Sequence, residues 1–532
     1  MARDRRVVAA IPDEVEVKLE APPEAIEAIG RQRSIGTYRL RPRRVQELHT
    51  VYLDTATQAL ARAGVALRLR RDGRSWEATA KWPGRVSGAL HARPELTVPL
   101  PGEPALPFVL PEGALREHLR DVVLDRPLQP VLITNVRRRP LELLPAHGTR
   151  ALAEVALDLV QLCDAAGTPA APPYGEVEIE RRGGSADDCL DAGRLLRRQF
   201  DLIPSSSTKY LRGLIAVYGD TAPRRTGGRA PEAAMPLAAA LRLATATQLE
   251  RWRAAAPATR ADQHAEPLHE MRVAMRRMRT ALRAFPDALP ARQREALLRE
   301  LAWLGQELGR VRDFDVLLAR ADHLAAHTSA AARAALVGYR RHLQRARRAA
   351  RTDLLAALDA RRTRALLLAL ERLVASVPTR GLPARAAEPF ATAGRRAARK
   401  ALRRLRRKGR AIGGLADAAD LHALRIRAKR ARYVLEVVEP LGGRACREVV
   451  KRVVGLQDAL GAFNDASVAA AELRRYREGL ERGSADAAAI AHLADLEIRH
   501  AGAAEADFRR AWKRFTAKPT KRAAKKLLAR LE

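Results

Sequence analysis

The sequence predicts a multidomain α+β protein, a strand-built module followed by an all-α one, and three observations carry that prediction. Eight short segments of alternating polarity, punctuated by Gly and Pro, occupy roughly the first 220 positions. From Pro236 onward the texture changes to long Ala/Leu/Arg stretches of helical period. Between them lies TAPRRTGGRAPEAAMP, a Pro/Gly-rich linker. The expected divisions are 10–218, a linker at 219–235, and a helical module at 236–520. At 532 residues the chain has room for several separate cores.

Taken in order, the strand segments are VEVKLE, LHTVYLDT, VALRLRR, SWEATAKW, LHARPELTV, PVLITNVRRR, ALAEVALDLV and GEVEIERR, with helices expected around Pro23 to Arg33 and Ser185 to Phe200. A strand sends alternate side chains to opposite faces. Glu14, Glu16 and Lys18 therefore share one face, as do Arg68 with Arg70, and Glu77 with Thr79 and Lys81. The same holds for Arg93, Glu95 and Thr97, for Arg137 with Arg139, for Glu154, Ala156 and Asp158, and for Glu176, Glu178 and Glu180. A solvated sheet would scatter such charges, whereas a closed barrel with a polar lumen collects them and packs its Val, Leu and Ile faces outward under helices. Clustered carboxylates call for a hard divalent cation such as Mg²⁺ or Mn²⁺. Clustered arginines call for an anion, and the guanidinium matches phosphate oxygens in pairs. Both together describe a metal-bound phosphate chain.

The helical module repeats internally. HEMRVAMRRMRTAL at 269 has a partner in HALRIRAKRARYVL at 422, and LGRVRDFDV at 308 has one in LGAFNDASV at 460. His269 precedes Asp313 by 44 positions and His422 precedes Asp465 by 43. Repeats of this length predict a duplicated bundle, divided at about 236–375 and 376–520. In the first copy His269, Arg272, Arg276, Arg279 and Arg283 stand at steps of 3 and 4, one helix face. In the second copy His422, Arg425, Lys429 and Arg432 do the same. Further cations come from Arg395 to Arg410, where Arg399, Arg403, Arg406 and Arg410 share a face, and from Arg299 and Lys451 before the two LG motifs. The histidines lack the second ligand at i+3 or i+4 that a metal site needs, so phosphate contact or a structural role is the better reading.

An excess of 97 Lys+Arg over 61 Asp+Glu, net +36, implies a polyanionic partner. Nucleic-acid readers usually interleave stacking aromatics with their cations. The first stripe has none and the second only Tyr433, which favours plain phosphate over bases. Three dispersed cysteines, Cys163, Cys189 and Cys446, favour a reducing compartment. No stretch approaches the ~20 apolar residues of a membrane span, so a cytoplasmic protein is expected, with association to polyphosphate granules as a corollary.

EVEVK near the N-terminus, followed by ALRLRR, TAK, the GEVEIE ladder and SSSTKY, resembles the CYTH domain, the triphosphate tunnel metalloenzyme fold. That resemblance implies an eight-stranded antiparallel tunnel binding a triphosphate with Mg²⁺ or Mn²⁺. By matching motifs Lys18, Arg68, Arg70, Lys81, Arg137, Arg139 and Lys209 would contact phosphates. Glu14, Glu16, Asp158, Glu176 and Glu178 would hold metal or the attacking water, with Glu14, Glu16 and Lys18 in the catalytic set. In some members a lysine on the strand of Arg137 to Arg139 works with a tyrosine; here that strand carries only arginines, and Arg sheds a proton poorly. The duplicated helical motifs resemble the CHAD domain, which implies two four-helix bundles about a pseudo-twofold axis and inorganic polyphosphate as ligand. The function expected is a metal-dependent inorganic triphosphatase fused to a polyphosphate-binding module. The alternatives are a non-catalytic polyphosphate or nucleic-acid binder, and a tunnel acting as adenylate cyclase or thiamine triphosphatase. Oligomeric state has no signature in the sequence.

Overall fold

The computed structural model describes residues 11, 13–73, 75–205, 207–219, 222, 229–262, 264–375, 381–412 and 418–531. Most of the linker's TAPRRTGGR segment, and the 376–380 boundary between the helical copies, lie outside the described residues. The chain divides into two compact units, 1–225 and 226–532.

In the first unit eight strands form a ring: β1 (Asp13–Ala21), β2 (Gln46–Asp54), β3 (Ala66–Asp72), β4 (Ser75–Lys81), β5 (Leu90–Leu100), β6 (Gln129–Leu144), β7 (Ala153–Cys163) and β8 (Tyr174–Arg181). Their antiparallel order is β7-β8-β1-β5-β4-β3-β2-β6, and β6 pairs back onto β7, so the sheet closes as an antiparallel barrel. Four shorter strands hang on it at Ser34–Ile35, Tyr38–Pro42, Arg85–Ser87 and Ile203–Pro204. Among the described residues five α-helices accompany it, α1 (Pro23–Gly30), α2 (Ala59–Ala63), α3 (Ala114–Val123), α4 (Ala186–Phe200) and α5 (Lys209–Tyr218).

The barrel is inside out relative to an ordinary core. Val17, Leu19, Leu141, Leu143, Val155, Leu157, Val177 and Ile179 face outward and pack with Ile26 and Ile29 of α1 and Ala192 and Leu196 of α4. On the far wall Leu53, Leu67, Leu69, Ala78 and Ala80 pack with Leu60 of α2 and Leu115, Leu119 and Val122 of α3. Each fully buried leucine on this outer face is worth about 2–5 kcal/mol against truncation to Ala. Helix α4 begins with a reciprocal capping box between Ser185 and Asp188. α5 is capped by Thr208, whose hydroxyl accepts from the Leu211 amide at 3.2 Å. That cap sets Lys209 at the first helical position, where its ammonium reaches the strand carboxylates.

The second unit holds two copies of one five-helix sequence. The first is α6 (Leu237–Ala261), α7 (Ala265–Ala284), α8 (Ala291–Ala326), α9 (Ala330–Asp359) and α10 (Arg361–Ala375). The second is α11 (Phe390–Arg410), α12 (Ala418–Glu478), α13 (Ala485–Thr516) and α14 (Lys518–Arg530). α12 is two arms broken at Gly443, whose φ of 54° with ψ of −140° is open to glycine and strained for other residues. Its arms match α7 and α8. The duplication extends to detail: Pro236 and Pro389 precede the first helix of each copy and bridge to one another, the Leu237 amide donating to Glu388 at 3.0 Å and the Phe390 amide to Met235 at 2.8 Å. Ser329 and Ser484 cap the fourth helix of each copy in the same way.

In the first copy α6, α7, α8 and α10 close one bundle, and the second copy does likewise with α11, both arms of α12 and α14. The 36-residue α8 and 30-residue α9 are too long to end there. Their distal halves continue into a shared core with α12 and α13, built on Leu317, Leu324, Leu336, Leu343, Leu473, Ile490 and Leu493. The fifth helix and this shared core are additions to the two four-helix bundles expected from the motifs.

Candidate functional site

The barrel lumen is a polar cavity of about 460 Å³. Lys18, Arg68, Arg70, Lys81 and Lys209 line it, with Glu14, Glu16 and Glu178. Most cations are already matched. The Lys18 ammonium touches Glu178 and lies 3.1 Å from Glu16. Lys81 touches Glu14 and lies 2.9 Å from Glu95. Lys209 sits 2.6 Å from Glu176 and 2.9 Å from both Asp158 and Glu178. Arg93 and Arg70 are exceptions, with no carboxylate partner among the described residues: the Arg93 Nε donates to the Trp82 carbonyl at 3.1 Å, and the Arg70 Nε donates to the Thr50 hydroxyl at 3.3 Å. Burial, then Arg68 and Arg138, pull the Arg70 pKa down to about 10.

The strand of Arg137 to Arg139 is out of phase with the expectation. Arg138 lines the lumen, donating to Asp158 at 2.8 and 2.7 Å and to Glu178 at 2.8 Å. Arg137 is exposed outside, 3.7 Å from Glu47, and Arg139 lies over Gly30 of α1. The cause is the inner face itself, which turns apolar at this end, where Leu48, Val136, Val160 and Leu162 cluster. Polar alternation counted from Val136 therefore assigns the wrong parity, and a one-residue slip exchanges every side chain between faces.

Asp158 and Glu176 are also displaced from the expected role. Both are fully buried behind Arg138 and Lys209, and neither lines the cavity. Lys209 and Arg138 hold the Asp158 carboxyl below its ordinary range against the effect of burial. Glu176 is pushed up to about 7 by burial, and its Oε2 is buried without a partner. They form a supporting layer that fixes the lumen cations. Sequence reasoning also missed Tyr52 and Tyr210, which stack at 5.1 Å in the wall.

Oxygen donors suited to a hard divalent cation are present in Glu14, Glu16 and Glu178. As they stand, each is held by Lys or Arg, and no three acidic, His or Cys side chains among the described residues converge to hold a metal.

The helical unit carries a second cavity, of about 700 Å³, in which the duplicated motifs face one another. His269, Arg272 and Arg276 enter from α7, and His422, Arg425, Lys429 and Arg432 from α12. Arg272 pairs with Asp313 at 3.7 Å and Arg425 with Asp465 at 3.6 Å, the same contact made once per copy. The histidines differ. His422 Nδ1 meets the Asn464 side-chain oxygen at 2.9 Å, whereas His269 Nδ1 is buried without a partner and the ring faces Arg312. Burial and the neighbouring Arg425, Arg276 and Arg272 lower the Lys429 pKa to about 7. Tyr433 is buried beneath Arg276, Arg277 and Arg432, at 5.0, 5.8 and 5.9 Å from its ring centre. Its face is therefore taken by guanidinium groups.

Several of the expected cations are not in this cavity. Arg299, Arg399, Arg403 and Lys451 are exposed elsewhere on their helices, and Arg406 lies over Phe515 at 5.8 Å. Arg279 and Arg283 leave the stripe beyond Arg276, and Arg283 lines a separate groove.

The CYTH domain model matches residues 13–214 and the CHAD domain model residues 243–474. An uncharacterized protein of Mycobacterium tuberculosis is 30% identical over 449 residues, 78% of this chain and 83% of that protein. An inorganic triphosphatase of Haemophilus influenzae is 27% identical over 173 residues, 32% of this chain and 45% of that protein. Among solved structures, PptA from Streptomyces chartreusis is 26% identical and covers 52% of this chain and 99% of its own, at a TM-score of 0.43. The CHAD domain of the plant Ricinus communis is 26% identical over 57% of this chain and 94% of its own, at 0.40. No helix among the described residues is long and apolar enough to cross a membrane.

Proposed function

We propose, for a chain that belongs to the family in which a CYTH domain is followed by a CHAD domain, that the tunnel hydrolyses inorganic triphosphate to pyrophosphate and phosphate, and that the helical unit binds long-chain polyphosphate. The observation that carries the first half is the closed lumen in which Arg70 stands among other cations with no counter-anion of its own. Such a charge is stabilised by a bound polyanion, and a triphosphate needs no base-recognition pocket. The similarity to the Haemophilus influenzae inorganic triphosphatase supports the same reading.

The ion pairs of the lumen suggest how binding works. Phosphate oxygens compete for Lys18 and Lys81, and each lysine they take frees carboxylates among Glu14, Glu16 and Glu178, while Arg68, 3.7 Å from Glu95, adds a further contact. Those carboxylates would hold Mg²⁺ or Mn²⁺, which supplies charge neutralisation and lowers the pKa of an attacking water. Arg70 and Arg138 hold the chain in line and stabilise charge developing on the transferred phosphoryl group. The buried layer of Asp158 and Glu176 keeps Lys209 and Arg138 aimed while the front carboxylates exchange partners.

In the helical cavity the excess of arginine over carboxylate favours a phosphate chain, and Tyr433, covered by guanidinium groups, has no face for a nucleobase. The test of the first half is phosphate release from inorganic triphosphate, ATP and thiamine triphosphate, with Mg²⁺ or Mn²⁺, by the wild type and Glu16→Ala. Metal-dependent release from triphosphate, lost in Glu16→Ala, is expected; no release from any of the three would sink the hydrolase. For the second half, long-chain polyphosphate is titrated against RNA at equal phosphate concentration across a salt series. Equal affinity would remove the preference for plain phosphate.

A further inference from the structure

We propose that the groove between α7, α11 and the first arm of α12 is a second anion site, separate from the histidine-lined cavity, that takes a single pyrophosphate group. Its charged lining is wholly cationic: Arg283, Lys400, Arg404, Arg427 and Arg430. None of these five has an ion-pair partner among the described residues, a contrast with the histidine-lined cavity, where Asp313 and Asp465 each meet an arginine. Arg430 is pulled below its ordinary value by burial and by Arg427, Arg283 and Arg404, and Arg279 beside the groove by burial, Arg283 and Arg430. Arg279 Nε is buried without an acceptor. The cations therefore repel one another across a space that a multiply charged anion would fill.

Size and position separate this groove from the polyphosphate reading. Its volume is about 180 Å³, room for roughly six waters at ~30 Å³ each, against about 700 Å³ for the other cavity. That suits two linked phosphates and is about a quarter of the volume of the other cavity. At 3.6 residues per turn, Arg427, Arg430 and Val434 lie on the face of α12 opposite Arg425, Lys429 and Arg432. A chain held in the cavity would have to pass around a helix to reach the groove. The floor, Ala397, Ala431 and Val434, is apolar and buried, so the lining offers the phosphates few competing acceptors. The group could arrive as free inorganic pyrophosphate or as the diphosphate of a nucleotide.

The experiment is calorimetric titration of the full chain with inorganic pyrophosphate and, separately, with ADP. It compares the wild type with a groove variant, Arg427→Gln with Arg430→Gln, and a cavity variant, Arg272→Gln with Arg425→Gln. The two groove arginines reach solvent and make no ion pair or side-chain hydrogen bond among the described residues, so melting temperatures within a few degrees of wild type are the folding control. Uptake by the tunnel appears in all three proteins and cancels in the comparison. The groove variant is expected to lose about tenfold or more in pyrophosphate affinity at one site while keeping its long-chain polyphosphate affinity. The cavity variant is expected to show the reverse. ADP binding equal to pyrophosphate identifies the nucleotide as a source, and ADP binding absent identifies the free anion; both uphold the group. Unchanged pyrophosphate binding in the groove variant overturns the proposal. So does a polyphosphate loss as large as that of the cavity variant, since the groove would then be part of one track. Direct titration makes the outcome independent of whether the tunnel hydrolyses triphosphate.

Discussion

The tunnel and the helical cavity both gather arginine and lysine, yet they balance that charge in opposite ways. In the tunnel Lys18, Lys81, Lys209 and Arg138 each meet at least one carboxylate within 3.1 Å. In the helical cavity Glu436 holds Arg432 and Arg277 at 2.6 and 2.8 Å, but the two arginine–aspartate pairs stand at 3.6 and 3.7 Å, and Lys429 is crowded by arginines. The difference follows from enclosure. A charge inside a closed barrel loses its water and must be paired to remain there. In the helical cavity Lys429 is only part-buried and stands without a carboxylate partner, at the cost of a pKa lowered by burial and by its arginine neighbours. Under the proposed function, the tunnel exchanges ion-pair partners when a ligand enters, and the cavity attracts polyanions by net charge.

The largest expected effect tests the tunnel side. Arg70→Ala removes a lumen arginine that has no carboxylate partner, and kcat for triphosphate should fall by about 10²–10³-fold with the fold intact. Melting curves alongside initial rates check it, and a wild-type kcat would show that the unpaired cation is idle.

Next in size is a stability effect. Arg138→Ala leaves the fully buried Asp158 with Lys209 alone, and unfolding free energy should drop by about 3 kcal/mol. Arg137→Ala, one residue away and outside, should leave both stability and rate unchanged. Denaturant titration of the pair decides the register, and equal losses would contradict it.

Weaker still, and reading out the cavity, Arg272→Ala with Arg425→Ala should reduce polyphosphate affinity about 10–100-fold and flatten the salt dependence by about one unit of slope per arginine. An unchanged slope would mean that these arginines do not meet phosphate.

The smallest effect is one of pH. The Lys429 amine, at about 7 in the free protein, is charged below that value and largely neutral above it. A polyanion raises its pKa, so binding takes up a proton above about pH 7, and affinity should decline as pH rises from 7 to 9. Below pH 7 the amine is already protonated and this contribution is flat. Lys429→Arg should remove the slope, as measured by titration in buffers of different ionisation enthalpy.

Much of the molecule was legible before any coordinates. The eight alternating segments became the eight ring strands, and the helices expected near Pro23 and Ser185 are α1 and α4. The paired motifs at 269 and 422 face one another as the duplication required. These rest on local periodicity, which follows from backbone geometry and survives in one dimension. The phase of RRR at 137–139 was not legible, because three identical residues carry no parity and the neighbouring Val136 is apolar on the inner face. Nor was the burial of Asp158 and Glu176, since the alternation of a strand distinguishes its faces and says nothing of depth along the lumen.

The sequence by itself therefore determined which residues share a face and that a strand-built region is followed by a helical one, and its net +36 is what the proposed polyanionic partner rests on. Tertiary structure alone decided which of those charges are cancelled and which remain free. That choice depends on side chains brought together from distant positions, such as Lys18 with Glu178 and Arg138 with Asp158, and on how far the surrounding fold excludes water. Neither quantity is a property of any single segment.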